Sequence, residues 1–273
     1  MNLRRALLLL IACVLAGGGL AADQRPPVYP FSLVNVWWKC ARTTDDLEEL
    51  RIDVEIVRDI PSGHALYIAP LGQIWLAEIS AYGGLQTQVQ AWRSLHDRRS
   101  LALGRGALFS RWAADGGQVP LEFLRGDAAT HYETGGYEGE FGSVRSRYVW
   151  RSGQYRFRLV REQVPPPAGQ RGRWYAASIE RADGSERHYI GSLFFEGSRF
   201  WLRPRMASFV EVYGRGSRIP EAEVIFSPPV INGSDCLPER VTPHFSAKFP
   251  TRYATFERLP DGRARVVAVP DGY

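Results

Sequence analysis

Two glutamates lie two residues apart in the glycine-rich stretch Gly135 to Gly142. If that stretch is extended, Glu138 and Glu140 share one face, with their Cα atoms about 7 Å apart. Carboxyl groups that can approach to about 5 Å suit a retaining glycosidase, in which one is the nucleophile and the other the acid/base. Their oxygens would equally suit a hard cation such as Ca²⁺. Solvated acids on a loop whose glycines form a tight turn or bulge also explain the pattern. Glu138 and Glu140, with nearby Asp115, are therefore candidate catalytic residues and no more.

A second polar group follows a pair of glycines in Tyr82-Gly83-Gly84-Leu85-Gln86-Thr87-Gln88. Gln86 and Gln88 share a face of an extended chain and could donate hydrogen bonds to sugar hydroxyls. Paired glycines let a ligand, or another backbone, come close to a strand. Packing inside a core sheet explains the same residues slightly better, and both interpretations stay open.

The chain has 8 Trp, many for 273 residues. Most fall in strand-like runs, where burial is the usual role of a tryptophan. An exposed tryptophan on a sheet face would instead form a stacking platform for a sugar ring. We therefore predict a ligand surface that combines aromatic, amide and carboxylate side chains: Tyr82, Gln86, Gln88, Trp112, Tyr137 and Glu138.

Several function classes have no support in the sequence. The 5 His are scattered, and no two have the spacing of a metal site or a catalytic triad. The sequence lacks a nucleophile elbow of the G-x-S-x-G type, a phosphate loop and a dinucleotide fingerprint. We expect no resident metal or cofactor, apart from the Ca²⁺ alternative above. The formal net charge of +5 includes no dense basic cluster, so nucleic acid is not an expected partner.

Alternation of apolar and charged residues indicates the fold that must position these groups. Leu50 to Ile56 alternates aliphatic with charged residues, as on a half-buried strand. Many such short runs with few helical patterns predict an antiparallel β-sandwich of the jelly-roll or lectin-like type. Other strands are predicted at Leu33 to Lys39, Ala65 to Ile68, Ile74 to Ser80, Ala107 to Trp112, Phe209 to Tyr213 and Glu223 to Phe226.

Turn residues predict three hairpins. Asp183-Gly184 separates Trp174 to Ile179 from His188 to Phe195, and Asp261-Gly262 separates Tyr253 to Glu257 from Ala264 to Val269. Arg151-Ser152-Gly153 would join Tyr148 to Trp150 with Gln154 to Phe157.

Short helical turns are predicted at two places only. Thr44 could cap one turn, because acids follow it, and Gln88 to Leu95 could form another. The proline-rich stretch Val164 to Gly169 is interpreted as an exposed loop rather than a domain boundary.

The first 22 residues have the pattern of a secretory signal peptide. Arg4 and Arg5 precede the apolar stretch Ala6 to Ala16, and Gly19 with Ala21 offers a small-x-small cleavage site. An alternative is a lipoprotein acylated at Cys13. Cleavage would lower the formal net charge from +5 to +3 and leave residues 23–273 as one domain without a transmembrane segment. We therefore expect a periplasmic or extracellular protein.

Two cysteines remain after that cleavage. In an exported protein, Cys40 and Cys236 most simply form one disulfide, which would tie the first strand to the C-terminal region. Two free thiols or a metal pair are weaker alternatives.

Several motif blocks together resemble a known family. Tyr82 to Gln88 is followed by Leu108 to Trp112, by the Gly135 to Gly142 loop and by Tyr148 to Phe157. In order and spacing this series, over roughly residues 65–215, resembles an uncharacterised family of exported bacterial proteins catalogued as domain of unknown function 3472. The chain departs from the family pattern at Leu85, where an aromatic residue is usual, and at Ala113, where an acid is common. The family often occurs beside carbohydrate-active modules, so the resemblance implies a glycan context and assigns no activity.

The resulting hypothesis is an exported, non-catalytic module that binds a polysaccharide or another cell-envelope glycan. The first alternative is a glycoside hydrolase or lyase that uses Glu138 and Glu140. The second is a structural envelope protein without a small ligand.

Overall fold

The protein is almost entirely β-structure. The computed structural model describes residues 31–114, 116–135, 139–213, 218–245 and 253–270. The predicted signal peptide and Cys13 therefore lie outside the described residues. A short 3₁₀ turn spans Leu121–Phe123. The strands are β1 Phe31–Cys40, β2 Glu49–Ile56, β3 Leu66–Leu76, β4 Ile79–Trp92, β5 Ser100–Trp112, β6 Leu124–Arg125, β7 Thr130–Thr134, β8 Phe141–Arg147, β9 Gly153–Arg161, β10 Gly172–Arg181, β11 Arg187–Glu196, β12 Arg205–Val212, β13 Ala222–Phe226, β14 Val230–Ile231, β15 Ser234–Asp235, β16 Pro238–Phe245, β17 Ala254–Arg258 and β18 Ala264–Ala268.

Within the described residues the strands form two antiparallel sheets. The front sheet has eight strands in the order β16-β1-β12-β3-β4-β5-β8-β7. The back sheet has ten, in the order β17-β18-β13-β2-β9-β10-β11-β6, with β14 and β15 attached beside β2. The two sheets pack face to face, which confirms the predicted all-β sandwich.

The core lies between the sheets and follows the alternation in the sequence. On β2, Leu50, Ile52, Val54 and Ile56 are buried, while the charged residues between them are half-exposed. Aromatic side chains fill the space between the sheets, as where Phe109 of β5 stacks on Phe195 of β11 at 6.3 Å between ring centroids. The period of two thus assigns one face of each sheet to the core.

Two of the predicted hairpins are confirmed. β10 pairs with β11 across Asp183-Gly184, and β17 pairs with β18 across Asp261-Gly262. Gly184 and Gly262 have φ of 74° and 84°, the left-handed conformation that these turns require. The Val164 to Gly169 stretch lies in the loop between the paired strands β9 and β10, as the sequence predicted.

The third predicted hairpin, around Arg151-Ser152-Gly153, is wrong. β8 pairs with β5 and β7 in the front sheet, whereas β9 pairs with β2 and β10 in the back sheet. Residues 148–152 therefore cross from one sheet to the other. The Tyr155 hydroxyl fixes this corner, since it donates to the Arg151 carbonyl at 2.9 Å and accepts from the Arg151 amide at 3.0 Å.

The predicted strand Ile74 to Ser80 is interrupted by a turn. β3 ends at Leu76 and β4 begins at Ile79, and Ala77 and Glu78 between them have φ of 49° and 68°. A two-residue hairpin of type I′ needs positive φ at both positions, and Asn or Gly is the usual signal for it. Ala77-Glu78 gives no such signal, and for this reason the sequence predicted one continuous strand where the structure has a turn.

The two predicted helical turns are also wrong. Thr44 instead forms an isolated β-bridge with Leu202. Gln88 to Trp92 are the last residues of β4, which at 14 residues is the longest strand described. None of the helices in the described part of the chain is long and apolar enough to cross a membrane.

The predicted disulfide is present between Cys40 and Cys236, with the two Cα atoms 5.4 Å apart. It joins the end of β1 to the segment just before β16, and these two strands are neighbours in the front sheet. The bridge therefore fastens an edge strand of the front sheet to the rest of the sandwich.

A histidine between the sheets makes stability depend on pH. The His188 ring lies 2.8 Å from the Ser146 hydroxyl and stacks on Tyr148. Burial lowers the pKa of His188, although the carboxylates of Glu186 and Asp127 act in the opposite direction. The unfolded chain binds this proton near pH 6.5, above the pKa in the folded protein. The contribution to stability is therefore complete above about pH 6.5 and is lost as pH falls through the folded pKa.

We expect His188→Gln, which can still hydrogen-bond Ser146, to flatten the fall in unfolding free energy below about pH 6.5. Urea titrations across this range measure it, with His96→Gln in the exposed β4–β5 loop as the control. Equal slopes for wild type and His188→Gln would contradict the assignment.

Candidate functional site

The outer face of the front sheet brings together two of the predicted ligand residues. Tyr82 on β4 and Trp112 on β5 are half-buried and point away from the core. Their ring centroids lie 6.0 Å apart with an interplanar angle of 41°. Together they present two neighbouring aromatic surfaces on a sheet whose opposite face is the core.

The two predicted glutamines differ in their environment. Gln86 lies on β4, on the same outer face as Tyr82, and its side-chain amide makes no hydrogen bond to any residue that the structure describes. The side chain of Gln88 donates to the Ser62 carbonyl at 2.8 Å, and its backbone is bonded by the Tyr213 hydroxyl. Gln86 is therefore available to a ligand, whereas Gln88 holds a loop and Tyr213 in place.

A buried tyrosine supports these rings. Tyr67 of β3 is only 3% exposed although it lies on the outer face, because Tyr82 and Phe209 pack on it at centroid distances of 6.3 and 5.1 Å. Its hydroxyl oxygen has no hydrogen-bond partner in the described part of the chain. The sequence did not point to Tyr67, because every residue from Leu66 to Gly72 is buried and the run shows no alternation.

Two phenols of this face, Tyr67 and Tyr213, have raised pKa values. Burial is the main cause that raises the pKa of Tyr67 far above its usual value, with smaller contributions from Tyr82 and Glu211. Burial also raises the pKa of Tyr213 to about 12, although its bond to the Gln88 backbone acts in the opposite direction. The face thus offers hydroxyl groups rather than phenolate bases.

The glycine pair serves close backbone packing. A Cβ atom at Gly84 would lie 2.2 Å from the Ile68 carbonyl oxygen and 2.7 Å from the Ala69 Cα. At Gly83 it would lie 2.6 Å from the Phe157 ring of the back sheet. Of the two interpretations left open by the sequence, approach of another backbone accounts for Gly84, and packing against the core accounts for Gly83.

A polar cluster that the sequence did not reveal borders the rings. Ser110 of β5, opposite Tyr82 in register, donates to Ser143 of β8 at 2.8 Å. Ser143 also accepts from Arg145, which forms an ion pair with Glu133 of β7 and donates to the Gln90 carbonyl. These bonds fix β5, β8 and β7 in register beside Trp112.

The predicted carboxylate pair is only partly placed. Glu138, Tyr137 and Asp115 lie outside the described residues. Glu140 is exposed, and its backbone carbonyl accepts from the Ala113 amide at 2.9 Å, next to Trp112. Gly139 lies against the Trp112 ring, since a Cβ there would be 3.1 Å from it. Glu140 thus lies at the Trp112 end of the aromatic face.

Among the described residues, no group of three or more His, Cys, Asp or Glu could hold a metal ion.

A shallow cleft of about 390 Å³ lies at the corner where the chain crosses between the sheets. Arg105 in its wall stacks on Trp150 at 4.5 Å and donates to the Trp150 and Ile60 carbonyls. The guanidinium is thus held by backbone groups, and the predicted ligand residues that the structure describes do not line the cleft.

Where the structure describes it, the outer face of the back sheet carries paired charges rather than neighbouring aromatic rings. Its arginines are paired with carboxylates across neighbouring strands, as in Arg156 with Asp53 and Arg158 with Glu49 and Glu180. Arg265 is likewise shared between Glu223 and Glu257. The described part of the back face is therefore charged but largely neutralised, which leaves the front face as the aromatic surface.

No protein-family model matches the chain, and no curated protein matches it in sequence.

Proposed function

We propose that the protein is a non-catalytic glycan-binding β-sandwich that acts in the periplasm or outside the cell, and that it binds through the outer face of the front sheet. The observation that carries the proposal is the pair of half-buried rings, Tyr82 and Trp112, side by side on an otherwise rigid sheet. Flat apolar surfaces flanked by a few polar groups are how proteins bind the faces of sugar rings and their hydroxyls.

The neighbouring polar groups support this proposal. The donors and the acceptor of the Gln86 amide are not used by any residue that the structure describes, and Gln86 lies four residues from Tyr82 along β4. The buried Tyr67 hydroxyl, which has no hydrogen-bond partner among the described residues, is unfavourable for folding, because burial removes its water without a replacement from those residues. Folding alone therefore does not explain a tyrosine rather than a phenylalanine at that position.

The placement of the motif blocks supports the family resemblance as part of the proposal. Tyr82 to Gln88 lies on β4 and Leu108 to Trp112 lies on its neighbour β5. The described end of the glycine-rich stretch leads into β8, which is the next strand of the sheet. Blocks separated in sequence thus come from adjacent strands of one surface. The Cys40–Cys236 disulfide fits an oxidising compartment.

We expect Trp112→Ala to weaken binding to a captured polysaccharide at least about tenfold, since one lost ring contact of about 50 Å² corresponds to ~1.3 kcal/mol. A glycan array identifies the polysaccharide, and pull-down or calorimetry measures the affinity. Tyr189→Ala, which removes a half-buried ring from β11 of the back sheet, is the matched control and should bind as wild type does.

Two results would contradict the proposal. One is an array and pull-down with no binding above background. The other is turnover of a bound polysaccharide that is lost in Glu140→Gln, which would indicate a glycoside hydrolase or lyase instead.

A further inference from the structure

The aromatic surface extends across the front sheet beyond Tyr82 and Trp112. Trp37 of β1 and Trp75 of β3 are half-buried, and their neighbours in sequence on both sides are buried in the core. Both rings therefore point to the outer face. The strand order β1-β12-β3-β4-β5 then places rings on four of five consecutive strands. We call Trp37, Trp75, Tyr82 and Trp112 the aromatic band.

The register shows that the band runs across the strands rather than along them. Trp37 is opposite Ala207, which is opposite Gln73 on β3. Trp75 is opposite Ser80 on β4, two residues before Tyr82. With strands about 4.8 Å apart, four spacings from β1 to β5 give a band about 19 Å long. This length exceeds that of a single sugar and suits a chain of several.

Three cations face one another at the β1 end of the band. Arg240 of β16 is opposite Lys39 of β1, and Lys39 is opposite Arg205 of β12. Like charges directly opposite each other destabilise a sheet. Lys39 pairs with Glu239, but Arg205 and Arg240 form no ion pair with any residue in the described ranges.

Arg205, one of the two cations without an ion pair in the described ranges, is contiguous with the rings. The Arg205 guanidinium lies 4.2 Å from the centre of the Trp37 ring. Arg203 lies over Trp75 at 5.4 Å, and its charge is paired with Glu78. A guanidinium beside an aromatic ring can still donate hydrogen bonds to a planar anion such as a carboxylate.

Resting on the proposed glycan-binding function, we propose that the ligand is an anionic polysaccharide chain that lies across the strands. Its sugar rings stack along the aromatic band, and the acidic groups at one end bind Arg205 and Arg240. Carboxylate and sulfate groups share this chemistry, so the probes must separate them. Neutral chains of the same backbone would use the rings without the cations.

The test compares polygalacturonate with its methyl ester, which has the same backbone without the charge, and includes alginate, dextran sulfate and neutral dextran. We expect the acid form to bind at least about tenfold more tightly than the ester. One charge-assisted hydrogen bond contributes enough free energy for about this change in affinity. Arg205→Gln and Arg240→Gln should each remove much of that difference, because they weaken binding of the acid more than binding of the ester. Affinity should also rise from dimer to hexamer as the chain covers the band.

The control is Arg171→Gln, which removes an exposed arginine from the β9–β10 loop, outside the front sheet. It should bind the acid form as wild type does. Trp37→Ala should weaken long chains more than short ones, whereas Trp112→Ala should weaken short chains as well.

Failure of this inference and failure of the proposed function give different results. If the ester binds through Trp112 as tightly as the acid and Arg205→Gln has no effect, the glycan site stands and the anionic chain is excluded. If no anionic probe binds more tightly than neutral dextran, the inference is also overturned. If no polysaccharide binds in a way that depends on Trp112, both fail.

Discussion

Replacing Cys40 and Cys236 together by alanine is expected to lower the free energy of unfolding by about 2 to 5 kcal/mol. The bridge spans 196 residues of sequence, so it constrains the unfolded chain over most of its length. The chain-entropy model gives about 5 kcal/mol for a loop of this size, and real bridges often give less. Alanine is chosen because both cysteines are buried, and a serine hydroxyl there would add a polar group to the core.

Urea denaturation with and without reductant measures this effect. Reductant should lower the stability of wild type toward that of the double variant and leave the variant unchanged. Removing the disulfide should also loosen the pairing of β16 with β1. Arg240 would then be held less firmly opposite Lys39. Equal stability of the oxidised wild type and the variant would show that strand pairing alone holds this edge.

The two-sheet architecture could be predicted because one face of each sheet is buried in the core. Strands such as β2 alternate so regularly that their inner residues can be read from the sequence. The pairing of strands could not be read in the same way. Tyr148 to Trp150 and Gln154 to Phe157 are neighbours in sequence, yet β8 and β9 belong to different sheets. Sheet choice depends on long-range pairing, which a local turn signal such as Ser152-Gly153 does not encode.

Only those residues of the candidate site that lie in one sequence motif could be placed together from the sequence. Tyr82 and Gln86 belong to one strand, so alternation alone placed them on one face. The contact of Tyr82 with Trp112 depends on the register of β4 with β5, and the cation row depends on the register of β16, β1 and β12. Arg205 and Arg240 are 35 residues apart and carry no motif. Their shared surface appears only once the strands are paired.

Two arginines of the front sheet, Arg205 and Arg240, differ from the arginines that are paired across the strands of the back sheet. On the back sheet, cross-strand carboxylates such as Asp53 and Glu49 neutralise those arginines, and such pairs stabilise a sheet modestly. On the front sheet, Arg205 lies on a tryptophan beside other cations. Both sheets bury one face equally well, so core packing does not explain this difference. The ligand that we propose for the front face would account for it.

Gly84→Ala is expected to destabilise the protein by about 3 kcal/mol, at the upper end of the usual range for overpacking. The new methyl group would lie 2.2 Å from the Ile68 carbonyl oxygen, 2.7 Å from the Ala69 Cα and 2.9 Å from Pro70. Two of these are backbone atoms of β3, at the irregularity between Ile68 and Leu71, and they cannot turn away as a flexible side chain can. Relief would require β3 and β4 to separate beneath Tyr67 and Tyr82.

Thermal and urea unfolding measure this loss, and Gly63→Ala is the matched control. A Cβ at Gly63 meets nothing within 4 Å, so that variant should change stability by less than about 1 kcal/mol. The pair of variants also decides between the two roles that the sequence left open for the glycine pair. If Gly84→Ala were as stable as wild type but bound polysaccharide more weakly, the glycine would serve ligand access. Because the obstructing atoms belong to the protein itself, we expect the loss of stability, with any loss of binding following from it.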